Sequence, residues 1–112
     1  MGWVSGTRRE VGMMVVRQVF RAKYGRGDEL VALFREFAQR QAAEGGAWQG
    51  LRLLSDASGP FFTVVTESEV ESLAAWERLF AESMGRPWMG EWFGRMTALV
   101  ESGSREFYNV VG

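Results

Sequence analysis

An α+β domain on one four-stranded antiparallel sheet is what this sequence predicts, on three observations. Apolar and aromatic residues alternate along some segments and recur at spacings of three and four along others, the periods of half-buried strands and of amphipathic helices. These segments follow the order strand, helix, strand, strand, helix, strand, with Gly, Pro and Asp at the joints. The chain's 112 residues, 46% apolar and 24% charged, suit one globular core rather than a disordered chain.

Residues 1–12 (MGWVSGTRREVG) are Gly-rich and without period. They are expected to form a flexible N-terminal arm, with Met13 or Met14 as alternative starts to a domain spanning 13–112. From Met13 to Tyr24 the chain is β-branched and aromatic, with Arg17, Arg21 and Lys23 on one alternate set, and reads as the first strand. Gly25-Arg26-Gly27 breaks it, and Asp28 stands where a helix N-cap is expected. Leu30, Leu33, Phe34, Phe37, Ala38 and Gln41 then recur at helical spacing, opposite Arg35, Glu36, Gln39 and Arg40. That pattern predicts an amphipathic helix running to about Glu44 and stopped by Gly45-Gly46.

Trp48 to Ser55 reads as a second strand, and Asp56-Ala57-Ser58-Gly59-Pro60 as a tight connection into a third at Phe61 to Thr66. Ser68, with Glu71 three residues on, has the form of a capping box opening a second helix. The stripe of that helix is Leu73, Trp76, Leu79, Phe80 and Met84, and Gly85 ends it. Pro87 suits the first position of a further helical piece carrying Trp88, Trp92, Phe93, Met96 and Leu99. Ser102-Gly103-Ser104 reads as a turn and Arg105 to Val111 as a fourth strand.

Two strand–helix–strand halves in this order make the ferredoxin-like βαββαβ arrangement. Right-handed crossovers place the first and third strands at the centre of the sheet, with the helices on one face. A sheet covered on one side should alternate apolar and polar residues. These strands instead carry apolar residues on both sets: Met14, Val16 and Phe20 against Met13, Val15 and Val19, and Phe107 and Val111 against Tyr108 and Val110. The expected remedy is a second copy packed sheet to sheet about a two-fold axis, so the expected partner is the chain itself. Two other outcomes stay open: the second-face residues meet solvent singly, or that face serves a different partner.

The opening strand Val16-Arg17-Gln18-Val19-Phe20, ending at Lys23-Tyr24-Gly25 before an acidic helix start, is similar to the first strand of NIPSNAP-like proteins. Ser72-Leu73-Ala74-Ala75-Trp76-Glu77 and Arg86-Pro87-Trp88 resemble the second half of the same branch of the dimeric α/β-barrel superfamily. The likeness covers about residues 13–111. It departs at Val19, where the family commonly has an aromatic residue two positions after the Arg. The resemblance implies a homodimer with facing sheets, helices outside, and a cavity between each sheet and its helices. Its members include proteins of unknown role, cofactor-independent monooxygenases, heme enzymes and stress-associated proteins, so the fold alone does not name a function.

The chain has no His and no Cys. A Ser-His-Asp triad, a His-ligated zinc or heme site and a thiolate nucleophile are therefore excluded from its own side chains. Its 14 glycines are scattered, with no phosphate-binding Gly pattern, and no clustered acidic spacing suggests a metal site, so neither cofactor nor metal is expected. A net charge of -1 leaves no electrostatic footprint for nucleic acid or a membrane surface. No apolar run approaches the ~20 residues that span a bilayer. Met1-Gly2-Trp3-Val4-Ser5-Gly6 lacks the apolar segment of a secretion signal. Without Cys, the reducing cytoplasm is the expected location.

Candidate pocket residues remain. Arg17 interrupts an apolar strand and matches the strand Arg of the resembled family; it either grips a ligand oxygen in the cavity or pairs with a nearby acid. Val19 lies beside it. Asn109, the only asparagine, orients a carbonyl or bonds its strand neighbours. Trp76, Trp88 and Trp92 line a pocket for a flat ligand or fill the core, and Tyr108 and Tyr24 are available hydroxyls. Glu36, Glu44, Glu77 and Glu82 fit a solvated helix face better than acid–base work. The function expected from these features is binding of a small apolar or aromatic molecule between sheet and helices. The alternative is a cofactor-independent monooxygenase acting on a quinol- or anthrone-like aromatic, with Arg17, Asn109 and Trp76 as its working residues.

Overall fold

The computed structural model describes residues 13–45 and 48–112; the expected arm at 1–12 lies outside the described residues. In chain order the elements are β1 (Met14–Ala22), α1 (Gly27–Ala43), β2 (Gln49–Ser55), β3 (Thr63–Val70), α2 (Leu73–Met84), α3 (Met89–Leu99) and β4 (Val100–Asn109). The strands pair antiparallel in the order β2-β3-β1-β4, with β1 and β3 central as the crossover rule requires. This is a ferredoxin-like α+β fold with the helices packed on one face of the sheet.

Strand register decides what each side chain meets. On β1 the residues Met14, Val16, Gln18, Phe20 and Ala22 face the helices, where Val16, Phe20 and Ala22 enter the core. The alternate set, Val15, Arg17, Val19 and Arg21, lies on the uncovered face opposite Glu69, Glu67, Val65 and Thr63 of β3. Two clusters fill the covered side. The larger joins Leu30, Leu33, Phe34 and Phe37 of α1 to Trp92, Met96 and Leu99 of α3. The smaller gathers Val16, Val70 and Trp76 beneath α2.

Several local expectations were displaced by longer-range pairing. The helix over Gly27–Ala43 starts with Arg26 at its N-cap and no side-chain cap; Asp28 lies in the first turn beside Glu29. The acidic pair still suits the positive end of the helix dipole, and Arg26 Nε donates to Glu29 at 2.6 Å. Gly27 leaves room for Phe62, whose ring lies 3.0 Å from where a Cβ would be. Phe61 and Phe62 belong to the connection, not to the third strand. Asp56 Oδ1 accepts from the Thr63 amide at 3.0 Å and closes that connection, while Phe62 takes a left-handed φ of 61°.

The expected capping box at Ser68 and Glu71 does not form, because β3 continues to Val70 to complete its pairing with β1. Ser68 is buried opposite Val16. Ser72 is the true N-cap of α2, its hydroxyl accepting from the Ala75 amide at 3.1 Å. Ser102-Gly103-Ser104 is strand rather than turn, paired with Arg21, Phe20 and Val19 of β1. Gly103 lets the Phe20 ring approach closely, to 3.2 Å from where a Cβ would be. Ladder hydrogen bonds along a central strand outweigh a local turn or cap signal, since each buried backbone group left unpaired is costly.

Candidate functional site

Between the sheet and the point where the three helices meet lies a cavity of about 130 Å³. Its walls are chiefly rings and thioethers: Phe20 from β1, Phe34 and Phe37 from α1, Phe80 from α2, and Met89, Trp92, Phe93 and Met96 from α3, with Trp48 beside β2. The rings brace one another edge to face, Phe34 against Trp92 at 5.2 Å and Phe37 against Trp48 at 5.4 Å, a preferred aromatic geometry. Trp92 is fixed further by donating its indole N–H to the Leu33 carbonyl at 2.9 Å.

Four polar side chains reach this apolar space: Gln18, Thr66, Ser83 and Arg105. Ser83, buried on α2, accepts from Gln41 Nε2 and from Trp48 Nε1, each at 3.0 Å. Gln18 accepts from Arg105 Nε at 3.1 Å, and its amide lies 3.5 Å from the Thr66 hydroxyl. The Arg105 guanidinium lies 5.1 Å from the ring centroids of both Trp76 and Phe80, within cation–π range. Gln18, Phe20, Phe93, Met96 and Arg105 also border a more open groove of about 400 Å³ along α3 and β4, so the cavity has a mouth there.

The residues singled out from sequence are distributed over both faces. Trp92 lines the cavity. Trp76 stands behind it, 5.3 Å from Trp48 and beneath Arg105. Trp88 is half-buried away from it, donating to Glu44 Oε2 at 2.9 Å with Arg40 over its ring. Arg17, Val19 and Tyr108 lie on the uncovered face. There Arg17 Nη1 donates to Glu67 Oε2 at 3.3 Å, and Arg52 Nη2 donates to the other oxygen of Glu67 at 3.1 Å. Tyr108 donates to Glu106 Oε1 at 2.9 Å, a bond that holds its phenol protonated above the ordinary tyrosine range. Asn109 ends β4 opposite Met14, outside the cavity lining. Among the described residues no three acidic side chains gather as a metal site.

Sequence reasoning missed Gln18, Ser83 and Arg105. The first two carried a signal. Gln18 interrupts the helix-facing alternation between Val16 and Phe20, and Ser83 lies seven residues after Trp76 on the same helix stripe.

No protein-family profile matches this chain, and no curated protein matches it. Solved structures do. A NIPSNAP family protein from Agrobacterium tumefaciens superposes with a TM-score of 0.77 at 21% identity, over 88% of this chain and 86% of that one. An uncharacterized NIPSNAP domain protein from Burkholderia xenovorans gives 0.71 at 15% identity, over 84% and 90%. A provisionally named antibiotic biosynthesis monooxygenase from Chloroflexus aurantiacus gives 0.68 at 18% identity, over 89% and 94%. The chain thus has the fold of NIPSNAP family and monooxygenase-like ferredoxin-fold proteins, the likeness first visible around Arg17 and Trp76. No described helix is long and apolar enough to cross a membrane.

Proposed function

We propose that this protein binds a small aromatic molecule in the ring-lined cavity and works as a homodimer in the cytoplasm. The observation that carries the reading is the space itself: about 130 Å³ walled by phenyl, indole and thioether groups, with a few fixed polar atoms. That is the usual make-up of a small-molecule site, and a cavity of ~150 Å³ accepts one benzene-sized ring. A screen of single-ring and two-ring aromatic metabolites should raise the melting temperature for at least one member. The same ligand should quench indole emission less in a Trp92→Phe variant. A library with no effect on melting overturns the reading.

The dimer is supported by the face that no described helix covers, where Val15, Val19, Leu54, Val65 and Tyr108 surround the Arg17–Glu67–Arg52 ion pairs. Light scattering should give twice the 12.6 kDa chain mass, and Val19→Asp should halve it. A monodisperse monomer in the unaltered chain removes the dimer from the proposal.

A second reading has the monooxygenase-named fold neighbour in its favour: oxygenation of an electron-rich ring methylene. One atom of O2 would replace the two methylene hydrogens as a carbonyl, the other leaving as water with them. Among the described residues no carboxylate lines the cavity, so the substrate would have to lose its proton by its own acidity. Oxygen uptake with an anthrone-like substrate tests this, and no uptake above the uncatalysed rate overturns it.

A further inference from the structure

We infer that the cavity's ligand is an aromatic acid: one ring inside, and a carboxylate on Arg105 at the mouth. This rests on the cavity being a binding site, and adds what kind of molecule it takes. Arg17, Arg26, Arg40, Arg52, Arg86 and Arg95 each meet a carboxylate within the chain. Of the arginines without such a partner among the described residues, Arg105 alone lines the cavity.

Its guanidinium is nonetheless held in place. Nε donates to Gln18 Oε1 at 3.1 Å, and the Trp76 and Phe80 rings each lie 5.1 Å from its central carbon. Nε is thereby occupied, and the Nη nitrogens have no hydrogen-bond partner within the described chain. A planar guanidinium with fixed orientation and free donors favours a planar oxyanion. It borders both the closed cavity and the open groove, so it stands at the junction where a ring-bound substituent would emerge.

Ser83, from α2, points the same way. Its oxygen already accepts from Gln41 and Trp48. A hydroxyl has two lone pairs, so both are in use and its hydrogen is left to donate. The cavity therefore offers hydrogens at two places and suits a ligand rich in acceptors, such as a ring bearing a carboxylate and a second oxygen.

The test measures binding of benzoate, phenylacetate and 4-hydroxyphenylacetate against benzamide, benzyl alcohol and 4-methylphenol, by protein-observed NMR on the full chain. The acids should bind about tenfold tighter than their neutral counterparts at low salt, with the margin shrinking as salt rises. Arg105→Gln should abolish that margin, weakening the acids about tenfold more than the neutral compounds, and Arg105→Lys should retain part of it. Equal binding of acids and neutral compounds, unchanged in Arg105→Gln, overturns the acid proposal and leaves the cavity reading standing. Shifts from neither class overturn both. If Arg105→Gln fails to fold, the acid-to-neutral ratio and its salt dependence in the unaltered chain decide the matter alone.

Discussion

Helices α1 and α2 occupy equivalent places in the two strand–helix–strand halves, yet only α1 closes its interface. Leu30, Leu33, Phe34 and Phe37 of α1 are buried against the sheet and α3. On α2 only Trp76 and Ser83 are buried, while Leu73 is 50% and Met84 39% exposed. The two stripes look alike as sequence. Each stripe gives one buried position to a polar residue, Gln41 on α1 and Ser83 on α2, and the two bond each other. What differs is that α1 packs against both the sheet and α3, while α2 buries little beyond Trp76 and Ser83. The difference teaches that the cavity lies where the helix above the sheet is less completely buried, with the Gln41–Ser83–Trp48 bonds fixing α2 beside it.

The largest expected effect lies in that contrast. Phe37→Ala should cost ~3–5 kcal/mol in urea unfolding, as for other buried aromatics. Phe80→Ala, which lines the same cavity but is only half-buried, should cost only about 1–2 kcal/mol. Equal costs would mean that the α2 side is as tightly packed as the α1 side. Next comes Ser83→Ala, which strands the Gln41 and Trp48 donors and should cost about 1–3 kcal/mol. A neutral or stabilising result there would show that α2 can settle inward, and the cavity would shrink with it.

The starts of the two helices differ in the same sense. Ser72→Ala removes the one side-chain cap of α2 and should cost about 1 kcal/mol. Asp28→Ala at α1, which starts without a side-chain cap, should lose only the smaller dipole term, about 0.3–1 kcal/mol. Chemical denaturation of both variants orders them. The smallest effect belongs to Glu36, whose carboxyl is held below its ordinary range by hydrogen bonds from Arg95 across α1 and α3. A lowered carboxyl contributes stability above its unfolded-state value and loses it as pH falls through the folded-state one. Arg95→Ala should therefore destabilise the protein at neutral pH and flatten the acid limb of its stability curve. Parallel acid limbs in the variant and the parent would show the pair to be thermodynamically silent, as many exposed pairs are.

Much of the fold was legible because it is written in periods. The spacing of Leu30 through Gln41 identifies α1 to within two residues at its start and one at its end, and the element order gives the sheet. Signals that depend on one or two residues were less dependable: Ser68 with Glu71 has the local form of a capping box, yet the ladder to β1 keeps Ser68 in the strand and the helix is capped by Ser72 instead. The site was less legible still. Arg17 drew attention as a charge in an apolar strand, but alternation turns it to the uncovered face, while Gln18 next to it reaches the cavity. Arg105 and Gln18 lie 87 positions apart along the chain, and no spacing rule links them.

By itself the sequence determined the class of fold, the strand order and the kinds of chemistry excluded, since hydrophobic period and residue inventory are properties of the chain read in one dimension. Only the tertiary structure decided which face of β1 meets the helices, that α2 leaves a space, and that Arg105 stands at its mouth. Those outcomes depend on strand register and on which distant side chains satisfy one another. A one-residue slip in pairing would have exchanged Arg17 for Gln18, with no change in any local pattern.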